Sequence, residues 1–202
     1  MSEPTDPDAA LMLRVKAGDM AAFEQLVEKY KQPVMNVVYH MIRDGDEAED
    51  LAQNVFFQVH RSAHRYETRA KFSTWLFTIA RNLTLNEIRR RKRHPAESLD
   101  AAPGEIERDD AAPRQVADPQ TFAPPDLALQ RELQERIEEA VADLPENQRT
   151  ALMLCQQGDV SYDDIGKVLG CSLSATKSLI HRARETLKAR LKPYLRTGVW
   201  NA

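Results

Sequence analysis

The sequence predicts an all-α chain: two small helical domains joined by an acidic, proline-rich linker, with a helix-turn-helix in the second domain. Three observations carry this. Apolar residues recur at i, i+3, i+4 and i+7 in successive segments, the period of a helix with one buried face. Only seven of 202 residues are glycine and β-branched runs are short, which argues against a sheet protein. Six of the eleven prolines fall within residues 94–127, beside eight acidic and two basic side chains and no apolar period. Such a stretch buries too little surface to offset its ordering entropy. The division is then an N-terminal extension over residues 1–18 leading into the first helix, a first domain over 19–93, a flexible linker over 94–127 and a second domain over 128–202.

Each element has a local cause. Asp19 can cap a helix through Phe23, Leu26, Val27 and Tyr30. Pro33 falls early in the next stretch, through Val37, Val38 and Met41, and predicts a kink. Gly45 breaks the pattern, and Asp46 starts a helix with Ala48, Leu51, Ala52, Val55, Phe56 and Val59 on one face. SAHRYETRAK reads as a loop. A third helix carries Phe72, Trp75, Leu76, Ile79, Ala80 and Leu83 and ends in the basic run RRRKR, which suits a helix C-terminus, before Pro95. Beyond the linker, Leu127 to Leu144 is amphipathic, and Pro145 begins a helix through Leu152, Leu154 and Cys155 that Gly158 ends. Ser161 or Tyr162 starts the short helix DDIGKVL. After a turn at Gly170-Cys171, Ser172 caps a long helix with Leu173, Thr176, Ile180, Ala183, Leu187 and Leu191 as its core stripe.

The net charge of −3 hides an asymmetry. Residues 14–93 are net +5, the linker net −6, and residues 171–192 net +5. Basic charge is concentrated at Arg89 to Arg93 and on the last helix, where a phosphate backbone would feel it. The start, MSEPTDPDAALMLR, has neither the basic nor the apolar region of a signal peptide, and no apolar run reaches the roughly 20 residues of a membrane span. A cytoplasmic protein is the expectation. Cys155 and Cys171 suggest no disulfide framework, and Cys155 reads as core. His60 and His64 share a helical spacing, but two imidazoles fall short of a metal site. No Walker loop, GxSxG, HExxH or paired-carboxylate framework is present, so no enzyme, cofactor or metal is expected.

Three segments carry function. In SYDDIGKVLGCSLSATKSLIHRARETLKARL, a short helix, a glycine turn and a basic second helix make a helix-turn-helix. Ser174, Lys177, Ser178, His181 and Arg182 face outward near the start of the second helix, where they can reach base edges or phosphates. Arg184, Lys188 and Arg190 lie further along, at backbone height or clear of DNA. In GDEAEDLAQNVFFQVHR, the face opposite the core offers Asp50, Gln53, Asn54 and Phe57, and an outward phenylalanine beside polar groups marks a partner surface. In KFSTWLFTIARNLTLNEIRRRKR, aromatic and basic residues interleave, as single-strand binding requires. Trp75 falls on the apolar stripe and reads as core.

The three segments resemble, in order, the extracytoplasmic-function sigma factors of the sigma-70 family. LPENQRTALML is similar to the family's LP-x-x-x-R-x-x-x-x-L helix, directly before its helix-turn-helix. GDEAEDLAQNVFFQVHR is similar to D-A-E-D-L-x-Q-x-x-F, and KFSTWLFTIARN to F-x-x-W-L-x-x-I-A-x-N. The resemblance implies a polymerase subunit that directs promoter-specific initiation. Its first domain would grip the polymerase core through Asp50, Gln53, Asn54 and Phe57; the family's phenylalanine aligns with Phe56, which the apolar stripe places in the core. The same domain would melt and read the minus-ten element. The loop residues His64, Arg65, Tyr66, Arg69 and Lys71 would form a pocket for an extruded base, with Asn82, Arg89, Arg90 and Arg93 along the following helix. The second domain would read the minus-thirty-five element, with Leu179 standing where relatives often carry a polar or basic residue. Expected partners are the RNA polymerase core, promoter DNA as duplex and melted strand, and an anti-sigma factor; the free chain would be a monomer.

The promoter elements lie about two duplex turns apart, roughly 70 Å. A 34-residue coil averages about 30–35 Å and stretches to about 110–120 Å, so the linker can bridge them either as an active element in the polymerase or as a passive tether. The rival reading is a dimeric helix-turn-helix regulator that acts on palindromic DNA without joining polymerase. A third reading, an anti-sigma or scaffold protein, sits poorly with two basic clusters.

Overall fold

The structure, a computed structural model, describes residues 6–93, 124–158 and 160–197. Among them every regular element is helical. Residues 94–123 of the expected linker lie outside the described residues, and its last four positions already belong to a helix.

The first domain begins earlier than the sequence suggested. Residues 7–16, expected within an extension, form helix α1 (Pro7–Lys16). The Asp6 carboxylate accepts the Asp8 N–H at 3.1 Å, and Pro7 occupies the first turn, where its missing N–H costs nothing. Ala9, Met12 and Val15 are buried. Ten residues are too few to be a stable helix alone, so this one depends on packing. Gly18 turns the chain at φ 96° into α2 (Met20–Ile42), capped by Asp19, which accepts the Ala22 N–H at 3.1 Å. Helix α2 runs through Pro33 as one element. Buried Leu26 and Tyr30 before the proline, and Val34, Val37, Val38 and Met41 after it, hold both ends against the same core.

Helix α3 (Gly45–Arg61) starts at Gly45 rather than Asp46, because Asp44 supplies the cap through the Glu47 N–H at 3.0 Å. A 3₁₀ turn (Ala63–Arg65) and a short loop lead into α4 (Phe72–Arg93). Tyr66, Phe72, Leu76 and Phe77 are fully buried at the centre of this domain. Asp8 is buried as well, and its carboxylate accepts from Lys29 Nζ at 2.6 Å and Tyr30 Oη at 2.7 Å. The α1–α2 contact is therefore fixed by polar groups as well as apolar ones.

The second domain holds α5 (Pro124–Ala142), α6 (Glu146–Gln156), α7 (Tyr162–Leu169) and α8 (Leu173–Thr197). Gly170, at φ 69°, ends α7 in the left-handed conformation that the turn requires. Ser161 and Ser172 cap α7 and α8 by accepting the Asp164 and Ala175 N–H groups, each at 3.2 Å. Leu144, Leu154, Ile165 and Ile180 form the interior. Leu173, expected in the core stripe of α8, is 42% exposed at the first position of the helix, before the buried stripe of Thr176 and Ile180 begins.

The two domains pack directly together. Helix α2 lies against α6 and α4 against α7, and the buried apolar side chains of both domains form one connected cluster. Polar contacts cross the boundary at its edge. Arg81 Nη2 donates to Asn147 Oδ1 at 3.4 Å, and Lys71 Nζ stands 3.9 Å from Asp164 Oδ2.

Candidate nucleic-acid and partner interfaces

Three surfaces emerge, one on each segment singled out in the sequence. On α8, Thr176, Ile180 and Ala183 point into the domain, and Ser174, Lys177, Ser178, His181 and Arg182 are all exposed on the opposite side. The close approach of α7 to α8 depends on Gly166, where a Cβ would come within 2.9 Å of both the Cys171 carbonyl oxygen and Thr176 Oγ1. The sequence reading passed over Gly166, because a glycine in the middle of a short helix carries no turn signal. Further along α8, Arg184 donates to Cys155 Sγ at 3.4 Å and Arg190 pairs with Asp143, so both basic groups turn back on their own domain.

On α3, Asp50, Gln53, Asn54 and Phe57 are exposed together, while Leu51, Ala52, Val55 and Val59 are buried. Phe57 is 71% exposed, and Phe56 packs partly buried against the core. An exposed phenylalanine beside polar groups is the arrangement of a protein-binding face. Asn54 and Phe57 also border a cleft of about 430 Å³ between α3 and α4, with Leu51, Gln58, Arg61 and Leu83 among its walls.

The loop before α4 divides into anchors and exposed residues. His64, Arg65, Arg69 and Lys71 are exposed, but Tyr66, expected to face DNA, is 1% exposed. Its ring packs edge-on against Trp75 at 5.0 Å and Phe72 at 6.3 Å, so it is a wedge under the loop rather than a stacking platform. Its hydroxyl has no hydrogen-bond partner among the described residues, and burial pushes its pKa up to about 12, helped by the charges of Asp6 and Asp8. His64 Nδ1 donates to the Arg61 carbonyl at 3.0 Å and its Nε2 accepts from Arg65 Nε at 3.2 Å, a pairing that needs the neutral imidazole with the proton on Nδ1. Trp75 is partly buried against the core, as its place on the stripe predicts.

The basic run at the end of α4 is not one patch. Arg91 pairs with Glu47 and reaches Asp44 at 3.8 Å, bracing α4 to the start of α3. Arg90 holds Glu87 through bonds of 2.8–3.0 Å. Arg89 and Arg93 are exposed, as is Asn82 about two to three turns earlier. Among the described residues no three His, Cys, Asp or Glu side chains group into a metal site, and no helix is long and apolar enough to cross a membrane.

These features define a two-domain helical DNA-binding regulatory subunit, and the comparisons with known proteins place it. Residues 26–94 match the family described as Sigma-70 region 2, and residues 134–187 match Sigma-70, region 4. The chain is 33% identical to the RNA polymerase sigma-H factor of Pseudomonas aeruginosa over 192 residues, covering 95% of this chain and 97% of that one. It is 35% identical to the ECF RNA polymerase sigma factor SigW of Bacillus subtilis over 179 residues, covering 89% and 94%. Among solved structures it is similar to the sigma factor RpoE of Bartonella quintana in complex with the anti-sigma factor NepR, with a TM-score of 0.61, 27% identity and coverage of 84% and 96%. It shares its fold with CnrH in complex with the cytosolic domain of CnrY, with a TM-score of 0.65, 20% identity and coverage of 93% and 99%. The chain belongs to the sigma-70 family, among its extracytoplasmic-function sigma factors. Members associate with RNA polymerase core and promoter DNA to direct promoter-specific initiation.

Proposed function

We propose that the three surfaces divide the work of a sigma factor among named residues. Asp50, Gln53, Asn54 and Phe57 bind the polymerase core. His64, Arg65, Arg69, Lys71, Asn82, Arg89, Arg90 and Arg93 hold and read the melted minus-ten strand. Ser174, Lys177, Ser178, His181 and Arg182 read the minus-thirty-five duplex. The subunit contributes recognition and strand separation and no catalytic residue of its own, and it works in the cytoplasm with the polymerase. The observation that carries this reading is the outward row of α8. Its five polar or basic side chains are exposed at the end of the helix that can enter the major groove first. Arg184 and Arg190, further along, are tied back to the domain.

An anti-sigma factor as a further partner is supported by the likeness to RpoE, solved with NepR. The direct packing of the two domains bears on when the chain reads DNA. Lys71 lies at once on the minus-ten loop and on the domain boundary, facing Asp164, so closure and strand binding draw on one side chain.

The test is transcription by core polymerase with and without this protein on fragmented genomic DNA, with transcript 5′ ends mapped. Core-dependent starts that share an upstream and a downstream element are the expected result. No core-dependent start, or tight dimeric binding to palindromic DNA without polymerase, would sink the reading.

A further inference from the structure

The loop from Tyr66 to Phe72 is held at both ends by α1, the helix that the sequence hides within an apparent extension. At its far end, Phe72 opens α4 and needs a partner for its N–H. Lys71, the residue before it, has no side-chain acceptor to offer. Asp6 supplies one from 66 positions away: its Oδ2 accepts the Phe72 N–H at 2.8 Å while its Oδ1 accepts the Asp8 N–H at 3.1 Å. One carboxylate thus caps two helices. At the near end, Lys16, in the last turn of α1, donates from Nζ to the Tyr66 carbonyl at 2.8 Å.

Between these ties the middle of the loop stands in solvent, while Lys71 faces Asp164 of the second domain. Glu67, Thr68 and Arg69 are exposed. Contacts within it include the Arg69 N–H to the Glu67 carbonyl at 2.9 Å and the ion pair of the same two side chains at 2.5 Å. Tyr66 and Phe72 meet ring against ring at 6.3 Å, so the residues between them form a closed excursion whose base is set by α1.

We propose that Asp6 and Lys16 are positioning residues for minus-ten recognition. They hold the ends of the loop so that its exposed side chains meet the melted strand in one conformation. The proposal rests on the reading of this loop as the minus-ten surface. A recognition loop that must be ordered on binding loses affinity and discrimination together, whereas a pre-ordered one keeps both.

The experiment uses the full chain bound to core polymerase and a fluorescent single-stranded oligonucleotide selected from a randomised pool by the unaltered holoenzyme. Asp6→Ala and Lys16→Met are expected to weaken oligonucleotide binding about tenfold each, the scale of one hydrogen bond, and to flatten discrimination against base-substituted oligonucleotides. Amide exchange at residues 67–72 of the free chain is expected to speed up in both. Core affinity and binding to upstream duplex should stay at the parent level, and Asp6→Asn and Lys16→Arg should restore the oligonucleotide affinity. Parent-like affinity, discrimination and exchange in Asp6→Ala and Lys16→Met would overturn the proposal, and so would an equal loss of core, duplex and oligonucleotide binding, which marks general destabilisation. Arg65→Ala and Arg69→Ala separate the two levels. If they too leave oligonucleotide binding unchanged, the reading of the loop falls and the proposal with it. If they weaken it while the α1 variants do not, the proposal alone falls.

Discussion

Asp164, 5% exposed in the first turn of α7, faces Lys71 Nζ of the other domain across 3.9 Å. Burial by itself would raise the Asp164 pKa, but hydrogen bonds from Ser161 and Lys167 outweigh it and hold the carboxyl below its usual range. A negative charge is therefore kept at the domain boundary, opposite a lysine that the minus-ten loop also presents.

Replacing Asp164 should be felt mainly within its own domain. Ser161 and Asp164 cap each other, with the Ser161 hydroxyl donating at 2.5 Å and the Asp164 N–H donating back at 3.2 Å. Asp164→Ala is expected to cost about 1–2 kcal/mol, read by denaturant unfolding. Lys71→Ala, which removes a half-exposed partner, should cost under about 1 kcal/mol. The sign in acid follows from the lowered pKa: the stabilisation is whole above the ordinary carboxyl value of 3.8 and fades as pH falls below it.

Domain closure should weaken as the solution is acidified below pH 6.5. His40 on α2 sits against the second domain; burial first lowers its pKa below 6.5, Glu138 opposes the shift, and Arg149 and Arg43 reinforce it. Glu138 and Arg149 belong to the second domain; where its packing supplies the burial as well, the closed form binds fewer protons than the open one. The contribution of His40 to closure is then whole above 6.5 and fades as pH falls through the window beneath it. Energy transfer between dyes on α3 and α8 should drop from pH 8 to pH 5.5 in the parent chain and stay flat in His40→Leu.

Phe57→Ala should leave the melting curve nearly unchanged, within about 0.5 kcal/mol, since the ring is mostly in water. Core binding is expected to lose about 2 kcal/mol if the ring is an interface anchor. Unchanged affinity in Phe57→Ala, Asp50→Ala and Gln53→Ala alike would move the polymerase surface elsewhere.

Gly166→Ala should loosen the helix-turn-helix. The new methyl meets backbone at Cys171 and the Thr176 hydroxyl, neither of which can swing away freely. A loss of about 1–3 kcal/mol is expected, with upstream-duplex affinity falling on all sequences alike. Lys177→Ala or Arg182→Ala should instead cost about 1–3 kcal/mol selectively at one base position.

Tyr66→Phe tests the buried wedge. Its hydroxyl is buried without a partner among the described residues, so removing it should leave stability equal or up to about 1 kcal/mol higher. Minus-ten binding should be unchanged. A large loss of strand affinity with the fold intact would return Tyr66 to the DNA surface.

Much of the fold was legible because it is written in helical periods and side-chain caps. Asp19, Ser161, Ser172 and Gly170 each mark a boundary that the structure keeps. The failures share a cause: the deciding partner is distant in sequence. Helix α1 is only ten residues long, too few to announce a helix by their own pattern, and packing on α2 together with the polar ties of Asp6, Asp8 and Lys16 makes it a helix of the core. Tyr66 looks like a base-stacking residue until Phe72 and Trp75 are seen around it. In RRRKR, the three-dimensional positions of Glu47 and Asp44 set Arg91 apart from its neighbours. The outward rows of α3 and α8 were readable because a helix of known buried face fixes the opposite face as well.

The connected core shared by the two domains also sets a schedule for the chain's synthesis. Helices α2 and α4 leave the ribosome before their coverings α6 and α7 exist. At 5–20 residues per second, the roughly 75 residues from Arg93 to Leu169, the end of α7, take about 4–15 s to make. For that interval the newborn first domain shows the surface that α6 and α7 later cover, so chaperones or an early-binding partner meet it before the second domain does.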